Sequence, residues 1–555
     1  MQAIWHKNYQ EGVPFEINPR EYNSIPEILQ GAFKKFTNLP AYHNMGKTIT
    51  FGELDTQCKK FCSYLQNRLG LQPGDRVALM LPNILQYPIA LFGLLQAGMV
   101  AVNVNPLYTA RELQHQLQDS GAKAIVIFAN SAHILESVLP ATEVEHVIVT
   151  GIGDMLTFPK SWIVNSVIKY VKKMVPNWNI PQAVSFKDAM NQGDPVAVKP
   201  VAVDYEDVAF LQYTGGTTGV SKGAVLTHGN LVANITQARA WIKPNVREGK
   251  EVVITPLPLY HIFALTANCL TFSSLGALNV LITNPRDIPN FVKELKKWDF
   301  TAITGVNTLF NALLNHVEFK NLNFRDLRLA LGAGMAVQKP VAEAWQKVTG
   351  KPLLEGYGLT ETSPAACINP VNLSGYNGYV GLPLSSTIVA VKDDNEKDVP
   401  LGEIGEICIK GPQVMQEYWR RPEETRTVMT FDGFFKTGDL GFMNAEGFVK
   451  IVDRKKDMII VSGFNVYPNE IEEVVAGHDK VLECAVVGVV DEKSGEAVKL
   501  FVVKKEPSVT EDDLRRFCKE QLTGYKIPKL IEFRAELPKT NVGKILRRAL
   551  RDHQI

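Results

Sequence analysis

Residues 213–223 have the sequence Tyr-Thr-Gly-Gly-Thr-Thr-Gly-Val-Ser-Lys-Gly. The stretch follows the apolar run Val208-Gln212, which predicts a buried strand, and leads into a second apolar run. Its glycines permit tight curvature and a close approach of backbone N–H groups to phosphate oxygens. Its threonine and serine hydroxyls and its lysine ammonium are donors suited to a polyphosphate. The stretch therefore predicts a phosphate-binding loop rather than a polar surface turn.

A Walker A loop is the main alternative assignment for the same stretch. That motif needs Gly-Lys-Ser or Gly-Lys-Thr running directly into a helix. Here the order is Ser221-Lys222-Gly223, and a predicted strand follows. The order argues against a P-loop kinase and favours another class of nucleotide-binding enzyme.

The chain around this loop alternates short β-branched runs with segments of helical period. Such alternation is typical of an α/β fold with largely parallel sheets. The predicted strands are Arg76-Met80, Ala124-Phe128, His146-Val149, Val208-Gln212, Val252-Thr255, Leu278-Ile282 and Leu327-Leu331. The predicted helices include Arg111-Asp119, Asn230-Trp241 and Ile288-Lys297.

From about Leu401 short strands and turns replace this alternation, and the tail predicts a separate α+β lid of about 100 residues. Its expected order is strand, hairpin, helix, strand, at Cys484-Val490, Val498-Lys504, Glu511-Gln521 and Leu530-Arg534. The polar segment 453–457 separates two apolar strands. We therefore expect a large domain over 1–453, a hinge at 454–456 and a small mobile lid over 457–555.

Composition limits the class of protein. The 555 residues include 59 Lys plus Arg and 58 Asp plus Glu, and this balance gives no global footprint for nucleic acid. The seven cysteines lack metal-ligand spacing, which fits a reduced, cytoplasmic compartment. Two long uncharged stretches, 77–110 and 252–285, are interrupted by prolines, so we expect buried segments rather than membrane spans.

Four further stretches, in a fixed order, make the chain resemble the adenylate-forming enzymes, a superfamily of acyl-CoA synthetases, luciferases and peptide-synthetase adenylation domains. They are Glu355-Gly-Tyr-Gly-Leu-Thr-Glu-Thr362, Lys436-Thr-Gly-Asp439, Asp453-Arg-Lys-Lys-Asp457 continuing to Gly463, and Pro538-Lys-Thr-Asn-Val-Gly-Lys544. The resemblance implies a large domain of layered α/β subdomains with a β-barrel-like subdomain, and a mobile α+β lid.

The resemblance also implies how ATP and Mg²⁺ are held. The tyrosine at 357 would stack on adenine, and Asp439, helped by Arg454, would accept the ribose hydroxyls. Thr360 would donate to the α-phosphate, and Glu361 and Thr217 would ligate Mg²⁺. The full implied nucleotide set is Thr214, Gly215, Gly216, Thr217, Thr218, Lys222, Gly334, Tyr357, Gly358, Asp439 and Arg454.

The catalytic residues implied by the resemblance are Lys544, Thr360, Glu361 and Gly463. Lys544 would offset the negative charge that develops when a carboxylate attacks the α-phosphate. Rotation of the lid about the hinge residue Lys456 would then withdraw Lys544 and bring the segment around Gly463 to a tunnel for coenzyme A. Arg547 and Arg548 have a simpler interpretation as solvated charges.

The segments 452–470 and 256–263 are similar to those of bacterial long-chain fatty acyl-CoA synthetases. The implied acyl pocket includes His261, Gly332 and Ala333, with small residues leaving room for a thin apolar chain. His261 fits a satisfied core histidine equally well. The implied substrates are a long-chain fatty acid, ATP and coenzyme A.

Other functions remain open from the sequence. They are a synthetase for a shorter or aryl acid, an acyl-AMP ligase feeding a carrier protein, and a non-enzymatic sensor of acyl-AMP or nucleotide. Short spacing before the hinge disfavours the carrier-protein ligase. A full set of Lys222, Glu361, Asp439 and Lys544 disfavours the sensor.

Residues 160–175, which lie between Pro159 and Pro176, predict an amphipathic helix. Its apolar side chains fall within an arc of roughly 160° at about 100° per residue, and Lys169, Lys172 and Lys173 lie opposite. This pattern fits peripheral contact with the inner face of a membrane, and it fits a helix packed on its own domain equally well. A homodimer is a further expectation.

Overall fold

The computed structural model describes residues 3–214, 221–540 and 542–552. Within these residues a nine-stranded sheet has parallel inner strands and antiparallel strands at both edges. Its order is Leu382–Pro383, Ala365–Ile368, Leu354–Gly358, Leu329–Ala333, Ala302–Gly305, Val252–Thr255, Leu278–Leu281, Pro40–Asn44 and Lys47–Thr50. The strands Ala302–Gly305, Leu329–Ala333 and Leu354–Gly358 run side by side and end at the same edge.

A second sheet carries the strand that precedes the phosphate loop. Its order over the described residues is Glu417–Tyr418, Lys222–Thr227, Val208–Thr214, Val100–Asn103, Arg76–Met80, Ala124–Phe128, His146–Thr150 and Val184–Ser185. Strands Val208–Thr214 and Lys222–Thr227 form an antiparallel pair in which Thr214 faces Lys222. The phosphate loop thus joins two hydrogen-bonded strands, and the strand predicted after it, unlike a Walker A helix, is confirmed.

Helices cover both sheets. Those of the large domain are Ile25–Lys35, Phe51–Asn67, Gln86–Gln96, Ala110–Ser120, Ala132–Val138, Lys160–Ser166, Phe186–Gln192, His228–Ile242, Ile262–Ala264, Ile288–Leu295, Asn307–Leu314, Val317–Lys320, Lys339–Thr349 and Pro422–Thr427. A wider π-helix continues two of them, over Val167–Val171 and Leu265–Phe272. Threonine caps begin several, as at Thr227, whose hydroxyl accepts a hydrogen bond from the Asn230 amide.

The strand and helix predictions agree closely with these bounds. Strands 76–80, 124–128 and 252–255 are confirmed at both ends. The predicted strand 327–331 begins two residues later, at Leu329. Several short strands were not predicted, among them Pro40–Asn44 and Ala302–Gly305, because their Pro, Asn, Ala and Gly residues are uncommon in strands.

A four-stranded antiparallel sheet follows, at the place of the expected β-barrel-like subdomain. Its order is Ile388–Lys392, Gly405–Lys410, Phe435–Met443 and Val449–Arg454. The last two strands pair Asp439 with Arg454 and Leu440 with Asp453. This pairing places the Gly-Asp motif directly beside the predicted hinge.

The predicted lid forms its own small sheet and core. Its strands are Ile459–Val461, Phe464–Val466, Val481–Asp491, Gly495–Lys504 and Leu530–Arg534, and its helices are Pro468–Ala476, Glu511–Gln521 and Arg547–Asp552. Val486, Leu500 and Leu514 lie in an apolar core that is separate from those of the large domain. The predicted order of strand, hairpin, helix and strand is confirmed.

The amphipathic segment is shorter than predicted. Its helical part covers 160–171, and Lys173 has a positive φ of 51°. The predicted helix over 160–175 is therefore wrong in its last turn, where the backbone leaves the helical region. None of the helices in the described ranges is long and apolar enough to cross a bilayer.

Candidate active site

The site lies where parallel strands of the nine-stranded sheet end, a common place for ligands in α/β folds. Strand Leu329–Ala333 ends at the first implied acyl-pocket residues, and Gly334 follows with φ of +82°. Its neighbour, Leu354–Gly358, ends with Tyr357 and Gly358. Residues that lie far apart in the sequence therefore meet at one edge.

Close packing requires glycine at two positions of this edge, Gly358 and Gly332. A Cβ at Gly358 would lie 1.7 Å from the carbonyl oxygen of Pro364, so the backbone approach admits only glycine there. A Cβ at Gly332 would lie 2.7 Å from Cγ2 of Val337. Local packing accounts for both glycines, whether or not they also contact a ligand.

Asp439 joins two of the predicted nucleotide residues. Its side chain is almost fully buried, and Tyr357 Oη donates to its Oδ2 at 2.6 Å. Arg454 Nε lies 3.2 Å from its other oxygen. Burial raises the pKa of the Asp439 carboxyl, and Arg454 opposes that rise. The predicted adenine and ribose residues thus form a single hydrogen-bonded group.

Thr360 and Glu361 form a short 3-10 turn, Thr360–Thr362, directly after the strand that bears Tyr357. Glu361 is 8% exposed, and Tyr418 Oη donates to its Oε1 at 2.7 Å. Burial raises the pKa of Glu361, whereas the hydrogen bond from Tyr418 lowers it. The turn holds a carboxylate in place next to the other nucleotide residues.

Lys222 faces the same tyrosine from the end of the phosphate loop. Its ammonium lies 5.4 Å from the centroid of the Tyr418 ring and forms an ion pair with Glu424. Thr214 Oγ1 donates to the Lys222 carbonyl at 3.5 Å. The predicted phosphate-binding residues Gly215, Gly216, Thr217 and Thr218 lie outside the described residues, as does Asn541 of the C-terminal motif.

Lys544 reaches this group from the lid. Its Cε would lie 3.1 Å from a Cβ at Gly334, so the glycine leaves room for the lysine. Burial lowers the pKa of Lys544 to about 8, and Arg454 adds to this effect while Asp439 and Glu361 oppose it. The predicted catalytic lysine and the predicted nucleotide residues are therefore close enough to interact electrostatically.

Further contacts hold the lid in this orientation. Thr308 Oγ1 donates to the carbonyl of Gly543 at 2.8 Å, directly before Lys544. Asn311, one helical turn further along Asn307–Leu314, donates through Nδ2 to the carbonyl of Leu482 at 3.0 Å. The orientation of the lid, which the sequence left open, places Lys544 at the site.

His261 lies beside this site and is partly buried. Its Nδ1 accepts a hydrogen bond of 3.4 Å from the Phe263 amide and so caps the helix Ile262–Ala264. Burial, and then the charge of Lys544, lowers the pKa of His261 to about 3. The imidazole is therefore neutral near pH 7. His261 caps a helix, as a core histidine would, and it also lies near Lys544, as a residue of the predicted acyl pocket would.

The structure does not bring Gly463 to this site. Ser462 and Gly463, with φ of +51° and +83°, form the turn between strands Ile459–Val461 and Phe464–Val466. A Cβ at Gly463 would meet no atom within 4 Å. Lys456 lies in the turn after strand Val449–Arg454, where partial desolvation and the charge of Arg454 lower its pKa to about 8.

Sequence reasoning missed two residues at or near the site. Tyr418 was not predicted, since a lone tyrosine in a short edge strand carries no signal. Arg547 was interpreted as a solvated charge, and that interpretation is wrong, because its side chain is 15% exposed and surrounded by carboxylates. The available hint was the spacing of Leu546 and Leu550, which lie four residues apart, as on a half-buried helix.

Among the described residues no group of three or more His, Cys, Asp and Glu side chains could hold a metal ion. A single buried carboxylate, Glu361, fits Mg²⁺, which takes one or two carboxylates together with phosphate oxygens and water. The arrangement suits attack of a carboxylate at the α-phosphate of ATP. It brings together Glu361, the predicted metal ligand, Asp439, the predicted ribose acceptor, and the buried ammonium of Lys544.

Comparisons with known proteins cover almost the whole chain. Residues 29–419 match the model of the AMP-binding enzymes, and residues 470–544 match the model of the AMP-binding enzyme C-terminal domain. The long-chain-fatty-acid–CoA ligase of Escherichia coli O6:H1 is 58% identical, over 100% of this chain and 98% of its own length. That of Yersinia pestis is also 58% identical, over 100% and 99%.

Solved structures of similar overall fold also include CoA ligases. An anthranilate CoA ligase in complex with anthranoyl-AMP has a TM-score of 0.86 at 25% identity, covering 97% of this chain and 99% of its own. MatB from Rhodopseudomonas palustris, 28% identical over 96% and 99%, has a TM-score of 0.82 with ATP bound and 0.72 without ligand. The domain arrangement described above is thus more similar to the ATP-bound than to the apo form of that protein.

Proposed function

This chain belongs to the family of AMP-binding enzymes, and we propose that it is an ATP-dependent long-chain fatty acyl-CoA ligase. It activates a long-chain fatty acid as acyl-AMP with release of pyrophosphate and then transfers the acyl group to coenzyme A, giving acyl-CoA and AMP. The observation that carries the proposal is the position of Lys544 against Gly334 and near Asp439 and Glu361. Full-length identity of 58% to two long-chain-fatty-acid–CoA ligases supports the choice of substrate.

In the first half-reaction the protein orients two anions and offsets the charge that develops between them. Asp439 and Tyr357 hold the nucleoside, and Lys222 and the loop hydroxyls bind the outer phosphates. Lys544 donates to the oxygen that becomes more negative as the fatty carboxylate attacks. At pH 7 an ammonium with a pKa of about 8 is mostly protonated, so it carries the charge that this role requires.

Mg²⁺ would be held by Glu361, with Thr217 as a second proposed ligand, and would draw electron density from the phosphate oxygens. The protein's own contribution is to fix one carboxylate oxygen. Tyr418 does so by donating to Oε1 of Glu361, which leaves Oε2 for the metal.

In the second half-reaction the lid, residues 457–555, rotates about the hinge 454–456, with Lys456 as its centre, relative to the large domain 1–453. Gly463 lies in an exposed turn with open space around its Cα, as a backbone segment that approaches a thin ligand requires. Pyrophosphate leaves before coenzyme A reacts, and ping-pong kinetics follow. His261, Gly332 and Ala333 line the acyl chain in this proposal, and Gly334 and Gly358 contact the nucleotide.

The test is AMP release from ATP, measured with and without coenzyme A, for straight-chain acids from acetate to oleate. Turnover that depends on coenzyme A and is greatest for long chains is expected. A maximum at short or aryl acids would keep the adenylating chemistry and overturn the long-chain assignment. The Lys544→Ala variant, which should lose AMP release, controls for a contaminating ATPase.

Exposed apolar side chains along 158–174 support peripheral contact with a membrane. Trp162, Tyr170 and Val171 are 67%, 69% and 74% exposed, whereas polar Asn165 faces the protein and donates to Asp154 Oδ1 at 2.7 Å. A helix packed on its own domain would show the reverse. Lysines flank the apolar face, as on helices that lie in the headgroup region of anionic bilayers. The enzyme would then work in the cytoplasm and dock on the inner face of the membrane.

Sedimentation with vesicles tests this contact. Binding to vesicles rich in anionic lipid, and weaker binding to zwitterionic ones, is expected. Charge reversal of Lys169, Lys172 and Lys173 should abolish the difference, whereas reversal of the exposed Lys34, Lys243 and Lys250 should not. Unchanged binding of the first triple variant would exclude this helix as the docking surface. The homodimer stays a prediction.

A further inference from the structure

Arg547 begins the last helix, Arg547–Asp552, three residues after Lys544. Its side chain is 15% exposed and lies among three carboxylates, those of Asp453, Asp457 and Glu472, which are 0–13% exposed. A charge at this depth is retained where its hydrogen bonds have good geometry. The contacts of Arg547 fall on two sides of the hinge.

On the lid side the guanidinium binds Glu472 through two hydrogen bonds. Nε donates to Oε1 at 3.1 Å and Nη2 donates to Oε2 at 2.7 Å. Nη2 also donates to Oδ1 of Asn469 at 2.6 Å, and Nη1 lies 3.6 Å from Oδ2 of Asp457. The fork of Arg547 is therefore fixed in the lid, and its direction is set by a bidentate pair.

On the other side Nη1 of Arg547 donates to Oδ1 of Asp453 at 3.0 Å. Asp453 belongs to the large domain, because it lies in strand Val449–Arg454 and pairs with Leu440. Its second oxygen accepts from the Asn469 amide of the lid at 2.8 Å. Both oxygens of one fully buried large-domain carboxylate thus accept hydrogen bonds from the lid.

Asp453 and the lid residues lie on opposite sides of Lys456, the proposed centre of lid rotation. A rotation there changes the separation of Asp453 from Arg547 and Asn469, while the contacts of Arg547 with Glu472 move as one body. Arg547 and Lys544 lie in the same short segment, so a restraint on the first is a restraint on the second. The contact with Asp453 is specific to lid orientations near the one described.

We propose that Arg547 is a positioning residue that, through its hydrogen bond to Asp453, holds the lid in the orientation in which Lys544 reaches the adenylation site. The inference rests on the proposed two-step function. It assigns to this pair an effect on the first half-reaction that the second half-reaction does not share. A buried ion network that only stabilised the fold would slow both steps alike.

The experiment measures the two half-reactions separately in the full-length protein. Fatty-acid-dependent exchange of pyrophosphate into ATP reports adenylation, and conversion of supplied acyl-AMP and coenzyme A reports thioester formation. The first variant is Asp453→Asn, which keeps the shape of the side chain and removes its charge. The second is Arg547→Lys, which keeps the charge and loses the bidentate fork.

Both variants are expected to slow pyrophosphate exchange about tenfold relative to thioester formation, as the loss of one charge-assisted hydrogen bond predicts. The matched control is Arg551→Ala. Arg551 lies on the same helix and binds Asp457 at 3.0 Å, on the lid side of the hinge. Its removal should leave the ratio of the two rates unchanged. Thermal unfolding of all three variants establishes that they are folded.

A ratio within twofold of the wild-type ratio in both variants would overturn the inference, and so would a ratio that changes equally in Arg551→Ala. A wild-type protein that shows neither half-reaction with any fatty acid would instead overturn the proposed function. A spin-label distance between the lid and the large domain, with ATP bound, gives a second readout. The distance distribution should broaden in Asp453→Asn, and a distribution identical to that of the wild type would contradict the proposed role of the Arg547–Asp453 hydrogen bond.

Discussion

The hydroxyl of Tyr418 lies 2.7 Å from Oε1 of Glu361, and this hydrogen bond connects an edge strand of one sheet to the turn that follows a strand of the other. Tyr418 pairs with Ala224 at the edge of one sheet, next to the strand that Lys222 begins. Glu361 follows a strand of the other sheet and accepts the hydrogen bond while almost fully buried. The hydrogen bond thus joins the two large sheets at the proposed metal ligand.

Tyr418→Phe is expected to weaken Mg²⁺ binding. Without the hydroxyl, burial raises the pKa of Glu361 further, and its carboxylate is less well oriented. The Mg²⁺ concentration that gives half-maximal adenylation should rise about tenfold, with a smaller change in the maximal rate. Pyrophosphate exchange measured across a Mg²⁺ series gives both values. The Tyr22→Phe variant controls for general effects, and an unchanged Mg²⁺ requirement in Tyr418→Phe would contradict the assignment.

Adenylation should lose activity as the pH rises through about 8. Lys544 is effective when protonated, and burial lowers its pKa to about 8, so the charge is present below that pH and lost above it. The value of kcat/KM for pyrophosphate exchange should fall about tenfold per pH unit well above 8. In Lys544→Arg, where the group stays charged, the remaining activity should not fall in this range. A fall of the same size in that variant would assign the pH dependence elsewhere.

Lys544→Ala separates the two half-reactions. Pyrophosphate exchange should fall about a hundredfold or more, because a positioned charge at the developing phosphate charge is lost. Conversion of supplied acyl-AMP and coenzyme A should change little, since the rotated lid does not use this residue. Equal losses in both assays would show that Lys544 serves more than the first step.

Alanine substitutions at Gly358 and Gly463 should have different effects on stability and on the two half-reactions. In Gly358→Ala the new Cβ would overlap the Pro364 carbonyl, so the thermal midpoint should fall together with both half-reactions. In Gly463→Ala the Cβ enters open space, and only the positive φ costs about 1–2 kcal/mol. Adenylation should remain and thioester formation should weaken. Normal thioester formation in Gly463→Ala would remove that residue from the proposed coenzyme A path.

Acid should destabilise the protein partly through His228. Burial lowers the pKa of His228 to about 4, and its Nδ1 accepts a hydrogen bond from the Ile25 amide, as a neutral ring can. Between pH 6.5 and 4 the unfolded chain binds a proton there that the folded protein does not. The free energy of unfolding should therefore fall by up to about 1.4 kcal/mol per pH unit as the pH decreases. Denaturant unfolding should show that the free energy of unfolding of His228→Gln falls less steeply with decreasing pH than that of the wild type. The control variant His146→Gln, at a less buried histidine, should keep the wild-type slope.

Much of the site was predictable because the phosphate loop, the motif around Glu361, the Gly-Asp pair and the C-terminal lysine each occupy a short continuous stretch. Seven of the seventeen strands described in the two large sheets were predictable in the same way, since buried parallel strands are continuous apolar runs. Other strands, such as Pro40–Asn44 and Ala302–Gly305, were not predicted, because their Pro, Asn, Ala and Gly residues are uncommon in strands. The last turn of the segment 160–175 was predicted as helix because its apolar pattern continues, whereas the backbone leaves the helical region at Lys173.

The sequence by itself determined the family, the chemistry and the order of the two domains. These depend on residue types at fixed spacing, which a linear chain displays in full. Only the tertiary structure decided that Lys544 rather than Gly463 lies at the site, that Tyr418 orients Glu361, and that Arg547 is buried between Asp453 and Glu472. Each of these contacts joins segments that are distant in sequence, and their formation depends on how sheets and lid pack. Packing between distant segments is set by shape and burial over the whole molecule, which no local pattern contains.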